Sequence, residues 1–360
     1  MRDAPCHPPF GPRKSQGLVD LQVNGFAGVD FNMGSGLSAD QIDVAMRALL
    51  ATGVTCLLPT LITATERELL ERFLALDTAI STSEFGAAMC PGYHLEGPFL
   101  NPGQGYSGCH PAAAMTTPDY GLVERLEHRL SRPILLITLA PELPGADAFI
   151  RLARAAGKLV AIGHTAADVD QTAHAATLGA QLVTHLGNGL PPLLPKLINP
   201  IMAQLAEDRL CASFIADGIH IPPHVLKVLI RAVGSGRALL VSDAVAAAAA
   251  PCGLYPFAGM TIERDAAGIV RRQGQAGLAG SSLCLDTAVR NLVAWKIASP
   301  DEAIAMASAR PAQLLAPALA THGIVQAPGE LVWSAELTLA QLRFHDVSHG
   351  GDFGRSCGGG

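Results

Sequence analysis

Gly92-Tyr93-His94-Leu95-Glu96-Gly97-Pro98-Phe99-Leu100 sets the terms for the rest of the chain. An apolar lead-in reaches a carboxylate, and the Gly-Pro pair after it forces a turn, so Glu96 stands at a strand end that faces a cleft. Alone, such a carboxylate is ordinary. Two later stretches change its weight, because each closes an apolar run on a histidine: Lys158-Leu159-Val160-Ala161-Ile162-Gly163-His164-Thr165 and Gln181-Leu182-Val183-Thr184-His185-Leu186. Three strand ends then offer Glu96, His164 and His185.

Outward from these three, strands and helices alternate. Strands are expected over 17–25, 54–59, 92–96, 133–139, 159–164, 181–185, 210–216 and 237–242. Helical spacing runs over 38–52 (with Ser38 as cap), 65–81, 118–130, 145–157, 168–178, 199–207 and 222–233. Eight apolar strands separated mostly by helices predict a (β/α)8 TIM barrel, whose chemistry sits at the C-terminal strand ends. A doubly wound open sheet competes, but it would gather its polar residues at one switch point and not at many strand ends. Residues 17–317 are expected to form the barrel, with a β-hairpin inserted at about 255–275. A reduced β-sandwich satellite is expected from 1–16 and 318–348, and a disordered tail over 349–360.

The chain has 360 residues, 49% hydrophobic and 16% charged, with a formal net charge of −6. That is ample for a large core and gives no basic surface for nucleic acid. No secretory leader is evident, and no apolar run approaches the ~20 residues of a membrane span. A cytoplasmic enzyme acting on small molecules is expected. The eight cysteines are scattered without a C-x-x-C pair and read as thiols, not as a disulfide frame or thiolate zinc site.

Imidazole and carboxylate donors suit one divalent ion, with zinc the first choice, and a catalytic site keeps one position open beside three protein ligands. Glu96, His164 and His185 make up that set, against the reading that they are three unrelated strand-end residues. Asp243, ending the eighth strand, could give and take a proton as general base and acid, or merely cap a turn. His220, in Asp217-Gly218-Ile219-His220, could contact substrate or simply pack.

The ordered pieces His94-Leu95-Glu96-Gly97-Pro98-Phe99, Gly163-His164-Thr165, Thr184-His185-Leu186-x-Asn188, Ala216-Asp217-Gly218-Ile219-His220, Ser242-Asp243-Ala244 and Leu278-Ala279-Gly280-Ser281 resemble the N-acetylglucosamine-6-phosphate deacetylases of the amidohydrolase superfamily. The match runs from about Leu18 to Leu331, and its specificity lies in the order of the set. The resemblance implies metal ligation by Glu96, His164 and His185, and catalysis by Asp243. It implies substrate contacts from His220, Asn188, Gly189, Cys109, His110 and the loop Leu278, Ala279, Gly280, as well as a homodimer. Where many amidohydrolases place His-x-His for a second metal, this chain has Gln22-Val23-Asn24, so a single ion is expected.

Three departures stand out. Family members usually carry an arginine after the sixth strand to grip the sugar phosphate, often from the neighbouring subunit, whereas Pro195-Lys196-Leu197 offers only Lys196, a point charge and not a fork. The loop Gly105-Tyr106-Ser107-Gly108-Cys109-His110-Pro111 lacks a basic residue. Only about 17 residues precede the first strand, which shortens the satellite. A non-phosphorylated N-acyl amino sugar therefore stands as an alternative substrate, as does another small amide, and a sugar-binding barrel without hydrolysis is a further reading.

Overall fold

The structure is a computed structural model that describes residues 11–345 and 347–350. Its strands, in chain order, are β1 (Arg13–Gln16), β2 (Leu18–Val23), β3 (Gly25–Phe26), β4 (Val29–Asp30), β5 (Val54–Ile62), β6 (Tyr93–Glu96), β7 (Ile134–Leu139), β8 (Leu159–Ile162), β9 (Leu182–Val183), β10 (Cys211–Phe214), β11 (Ala238–Leu240), β12 (Gly253–Phe257), β13 (Met260–Arg264), β14 (Val270–Arg272), β15 (Glu330–Trp333), β16 (Leu339–Phe344) and β17 (Val347–Gly350). The helices are α1 (Ala39–Ala51), α2 (Glu66–Thr82), α3 (Gly86–Met89), α4 (Tyr120–Glu127), α5 (Ala146–Ala155), α6 (Val169–Leu178), α7 (Pro200–Leu205), α8 (Pro223–Val233), α9 (Leu285–Ala294), α10 (Pro300–Ala307) and α11 (Ala309–Thr321).

Eight parallel strands run in the order β2-β5-β6-β7-β8-β9-β10-β11, with helices packed around them. This is the (β/α)8 barrel. Its strands are apolar because both faces are covered: all nine residues of β5 and all six of β7 are buried. The helices follow local chemistry. Ser38 and Gln41 form a capping box on α1, whose buried stripe is Ile42, Ala45, Met46, Leu49 and Leu50, and Thr65 and Glu68 repeat the device on α2.

The ring closes between β2 and the segment after β11. Val23 bridges Ala244 in parallel, the Asn24 amide donates to the Ala244 carbonyl at 2.7 Å, and the Asp243 amide donates to the Gln22 carbonyl at 3.0 Å. Deeper in the seam the Ser242 amide donates to the Asp20 carboxylate at 3.2 Å. Closure and the placement of Asp243 thus share one set of bonds.

Five expectations are refined by the structure. The inserted hairpin is a three-stranded antiparallel sheet, β12-β13-β14, seated on the barrel mouth through Phe257, Ile262 and Val270, which pack with Ile62, Val245 and Ala279. The expected boundary at 317 falls inside α11, which carries Pro317 without ending there. Among the described residues the satellite is one antiparallel sheet, β1-β15-β16-β17, and not a two-sheet sandwich; its buried Trp333 donates from Nε1 to Ser15 Oγ at 2.9 Å. The tail expected from 349 overlaps β17, where His349 pairs with Leu342 and Gly350 with Gln341. Residues 351–360 and 1–10 lie outside the described residues. Cys56, Cys90, Cys109, Cys211 and Cys252 are free thiols, but Cys284 is in a disulfide, against the all-thiol expectation. No helix among the described residues is long and apolar enough to cross a membrane.

Candidate active site

The C-terminal strand ends converge on a cavity of about 680 Å³ that Glu96, His164, His185, His220 and Asp243 all line. Glu96 is the last residue of β6, and the Gly97-Pro98 peptide after it is cis. His164, His185 and Asp243 each follow a strand and sit at φ 51°, 30° and 48°, a left-handed backbone that costs non-glycine residues of order 1–3 kcal/mol. Strain of this kind collects where a fold holds side chains for chemistry.

One ligand atom from each of Glu96, His164 and His185 lies within 4.8 Å of the others, and all three residues are buried. His185 Nε2 is 3.0 Å from Glu96 Oε1 and His164 Nε2 is 3.5 Å from it. His164 donates from Nδ1 to the Tyr106 carbonyl at 2.7 Å, which fixes its tautomer and leaves Nε2 buried with no protein partner. Such an orphaned nitrogen beside a carboxylate and a second imidazole fits a divalent ion. Burial alone would raise the Glu96 carboxyl, but the imidazoles of His164 and His185 against it, His185 by a hydrogen bond, hold it well below the usual carboxylate range. It is a permanent anion.

Two amides, one in β2 and one just after it, reach the carboxylates of the site. Gln22 Nε2 donates to Glu96 Oε1 at 2.9 Å, and Asn24 Nδ2 donates to Asp243 Oδ1 at 2.8 Å. Asp243 is pushed up to about 6 by burial and by the Glu96 charge, against the opposing pull of His185 and His220. That value suits a group that must both accept and return a proton.

His110 stands closer to the ligands than spacing suggested. Its Nε2 is 3.7 Å from Glu96 Oε2, its Nδ1 meets Thr63 Oγ1 at 2.9 Å, and burial together with the His164 ring lowers it to about 3, so it is neutral. His220 is held through Nδ1 by Asp217 Oδ2 at 2.6 Å, leaving Nε2 to the cavity. Cys109, Asn188, Gly189, Leu278 and Gly280 line the cavity as well. Ala279 does not; it is buried in the packing under the hairpin sheet. Lys196 is exposed on the loop before α7, outside the cavity lining.

Some lining residues carried no signal in sequence. Phe257, Met260 and Arg272 of the hairpin sheet form one wall. The alternation of a strand says that one residue of Arg271-Arg272 faces the cavity but cannot say which. His94, inside the quoted motif, is buried below the site in a chain of hydrogen bonds with Thr60 (3.3 Å) and Thr138 (2.8 Å), and Thr138 continues it to Thr184 (2.7 Å). It supports the floor and does not line the cavity.

No family model matches the chain. The N-acetylglucosamine-6-phosphate deacetylase of Bos taurus is 33% identical over 317 residues, covering 83% of this chain and 73% of the relative. The chain belongs to the N-acetylglucosamine-6-phosphate deacetylase family. Another relative in these comparisons, the N-acetylgalactosamine-6-phosphate deacetylase of Escherichia coli O157:H7, is also 33% identical, over 299 residues, covering 82% of this chain and 76% of the relative. A structure of a mutant N-acetyl-D-glucosamine-6-phosphate deacetylase from Mycobacterium smegmatis in complex with N-acetyl-D-glucosamine-6-phosphate superposes with a TM-score of 0.80 at 28% identity, covering 92% of this chain and 85% of that one. Membership makes this deacetylase an amide hydrolase of the metal-dependent type, acting on a small amino sugar.

Proposed function

We propose that the protein removes the acetyl group from N-acetylglucosamine-6-phosphate or its close epimer, using one divalent ion, zinc by its donor set, held by Glu96, His164 and His185. The observation that carries this reading is the buried trio with Asp243 beside it in one cavity. When bound, the ion supplies Lewis acidity to the acetamide oxygen and to water. Asp243 takes a proton from the attacking water as the new C–O bond forms, then gives it to the amide nitrogen as the C–N bond breaks. Acetate and the free amine leave. Asn24 holds Asp243 in line for both transfers, and Gln22 holds Glu96. His110, neutral and with Nε2 turned toward the ligand carboxylate, is placed to donate to the acetyl oxygen; His220, anchored by Asp217, is placed to bind a sugar hydroxyl. Asn188, Gly189, Cys109 and the Leu278 to Gly280 loop shape the remaining wall.

A homodimer is supported by apolar exposure on the loop before α7, where Leu193, Leu197 and Ile198 are 88%, 75% and 83% exposed. The decisive experiment is amine release from N-acetylglucosamine and N-acetylgalactosamine, each with and without a 6-phosphate, run beside metal analysis of the purified protein. Turnover of a phosphorylated sugar with about one ion per chain is expected from the ligand count. A protein that binds the sugars and releases no amine sinks the enzymatic reading.

A further inference from the structure

We infer that Arg272, at the end of β14, is the residue that binds an anionic substituent of the substrate, so that the hairpin sheet of the chain itself carries the phosphate grip. The inference rests on the deacetylase reading above and names the specificity-determining contact. Glu96 and Asp243 bring negative charge to the cavity, and Arg272 is the one lysine or arginine among the described residues that lines it. Its neighbour Arg271 is held by Asp265 at 3.3 Å, whereas the Arg272 guanidinium has no ion pair or hydrogen bond among the described residues. A guanidinium is always charged, and its fork matches two phosphate oxygens at once. A substrate with only hydroxyls has nothing that requires such a group on this wall.

The strand that carries it is anchored, while the Arg272 side chain is itself exposed in the cavity wall. The tip between β12 and β13 is pinned to the barrel, since the Ala258 amide donates to Asp30 Oδ2 at 2.7 Å and Arg72 Nη2 donates to the Ala258 carbonyl at 3.3 Å. Three registered pairs then set β14 on β13, with Arg272 opposite Ile262, whose side chain is buried under the sheet. Lys196, the cation that the loop after the sixth strand offers, is exposed and does not line the cavity.

The test is steady-state kinetics of the metal-loaded enzyme on N-acetylglucosamine with and without the 6-phosphate, for wild type, Arg272→Ala, Arg272→Lys, Arg271→Ala and Lys196→Ala. Calorimetric binding of glucosamine-6-phosphate and of glucosamine to the same proteins runs beside it. Arg272→Ala should raise KM and the product Kd for the phosphorylated sugars by roughly ten- to a hundredfold, the range of a charged hydrogen-bond pair. It should keep kcat and leave the unphosphorylated sugars unchanged. Arg272→Lys should fall between, and Arg271→Ala should match wild type. Unchanged phosphate affinity in Arg272→Ala, or a loss that appears in Lys196→Ala instead, overturns the proposal. If wild type hydrolyses neither sugar, the deacetylase reading fails, and the calorimetry alone still decides whether Arg272 binds phosphate.

Discussion

Replacing Asp243 by Asn swaps one oxygen for an amide nitrogen and deletes the proton carrier while keeping the shape that Asn24 grips. Asp243→Asn should retain metal and fold and lose about 10²- to 10⁴-fold in kcat; metal analysis and turnover measured on one preparation check it, and an Asp243→Asn enzyme at full speed would overturn the mechanism. A second residue acts without any side chain. Gly189 has φ +62°, and a Cβ there would lie 2.5 Å from His164 Nδ1, the nitrogen bonded to Tyr106. Gly189→Ala should therefore push the imidazole off its carbonyl and weaken metal affinity about 10- to 100-fold, as loss of a ligand's support does; competition with a chelator reads it. The grouping of Glu96, His164 and His185 was legible because each terminates an apolar run. What Gln22 and Asn24 do was not, since a pair of amides in a strand announces only that imidazoles are missing, and their bonds to Glu96 and Asp243 depend on barrel curvature.

Among the elements, the β12-β13-β14 sheet bears most directly on substrate. Asp30 accepts from the Ala258 amide and, through its other oxygen, from the Asn32 amide at 2.8 Å, and burial raises it to about 6. Asp30→Ala leaves two buried amides unpaired and should cost about 1–3 kcal/mol of stability. KM should rise with kcat retained, and amide exchange should quicken in 253–272; equal exchange in mutant and wild type would show that the sheet does not depend on this anchor. The eight barrel strands were readable as fully buried apolar runs, and α1 and α2 from their caps. β14 was not, because three residues with two arginines resemble loop. Lys196, which the sequence places after the sixth strand, is exposed in the single chain.

Across the whole molecule, Asp20 couples stability to acidity. It lies 1% exposed inside the barrel, and burial raises it from 3.8 to about 7. The folded state therefore keeps a proton that the unfolded chain gives up above about pH 4, so the stability Asp20 contributes is fully present below that value and is lost as pH climbs through about 7. Melting temperatures of wild type and Asp20→Asn should accordingly diverge between about pH 4 and about pH 7, with wild type losing more. Curves that shift in parallel would show Asp20 to be inert. The barrel as a whole was legible from strand count, and the joining of the N-terminal segment with 318–348 in a satellite was expected; that it is one sheet, with 13–16 in register on 330–333, was not, because only pairing shows it. The seam holds one further consequence. Val23, Asn24 and Gln22 meet Asp243 and Ala244 through a handful of bonds and a single bridged pair, where even short β9 keeps two with each neighbour, and regions with few bonds open at lower cost than the whole. Gentle heating should then silence the enzyme several degrees before its helices melt, since the hoop that slips first is the one carrying the aspartate.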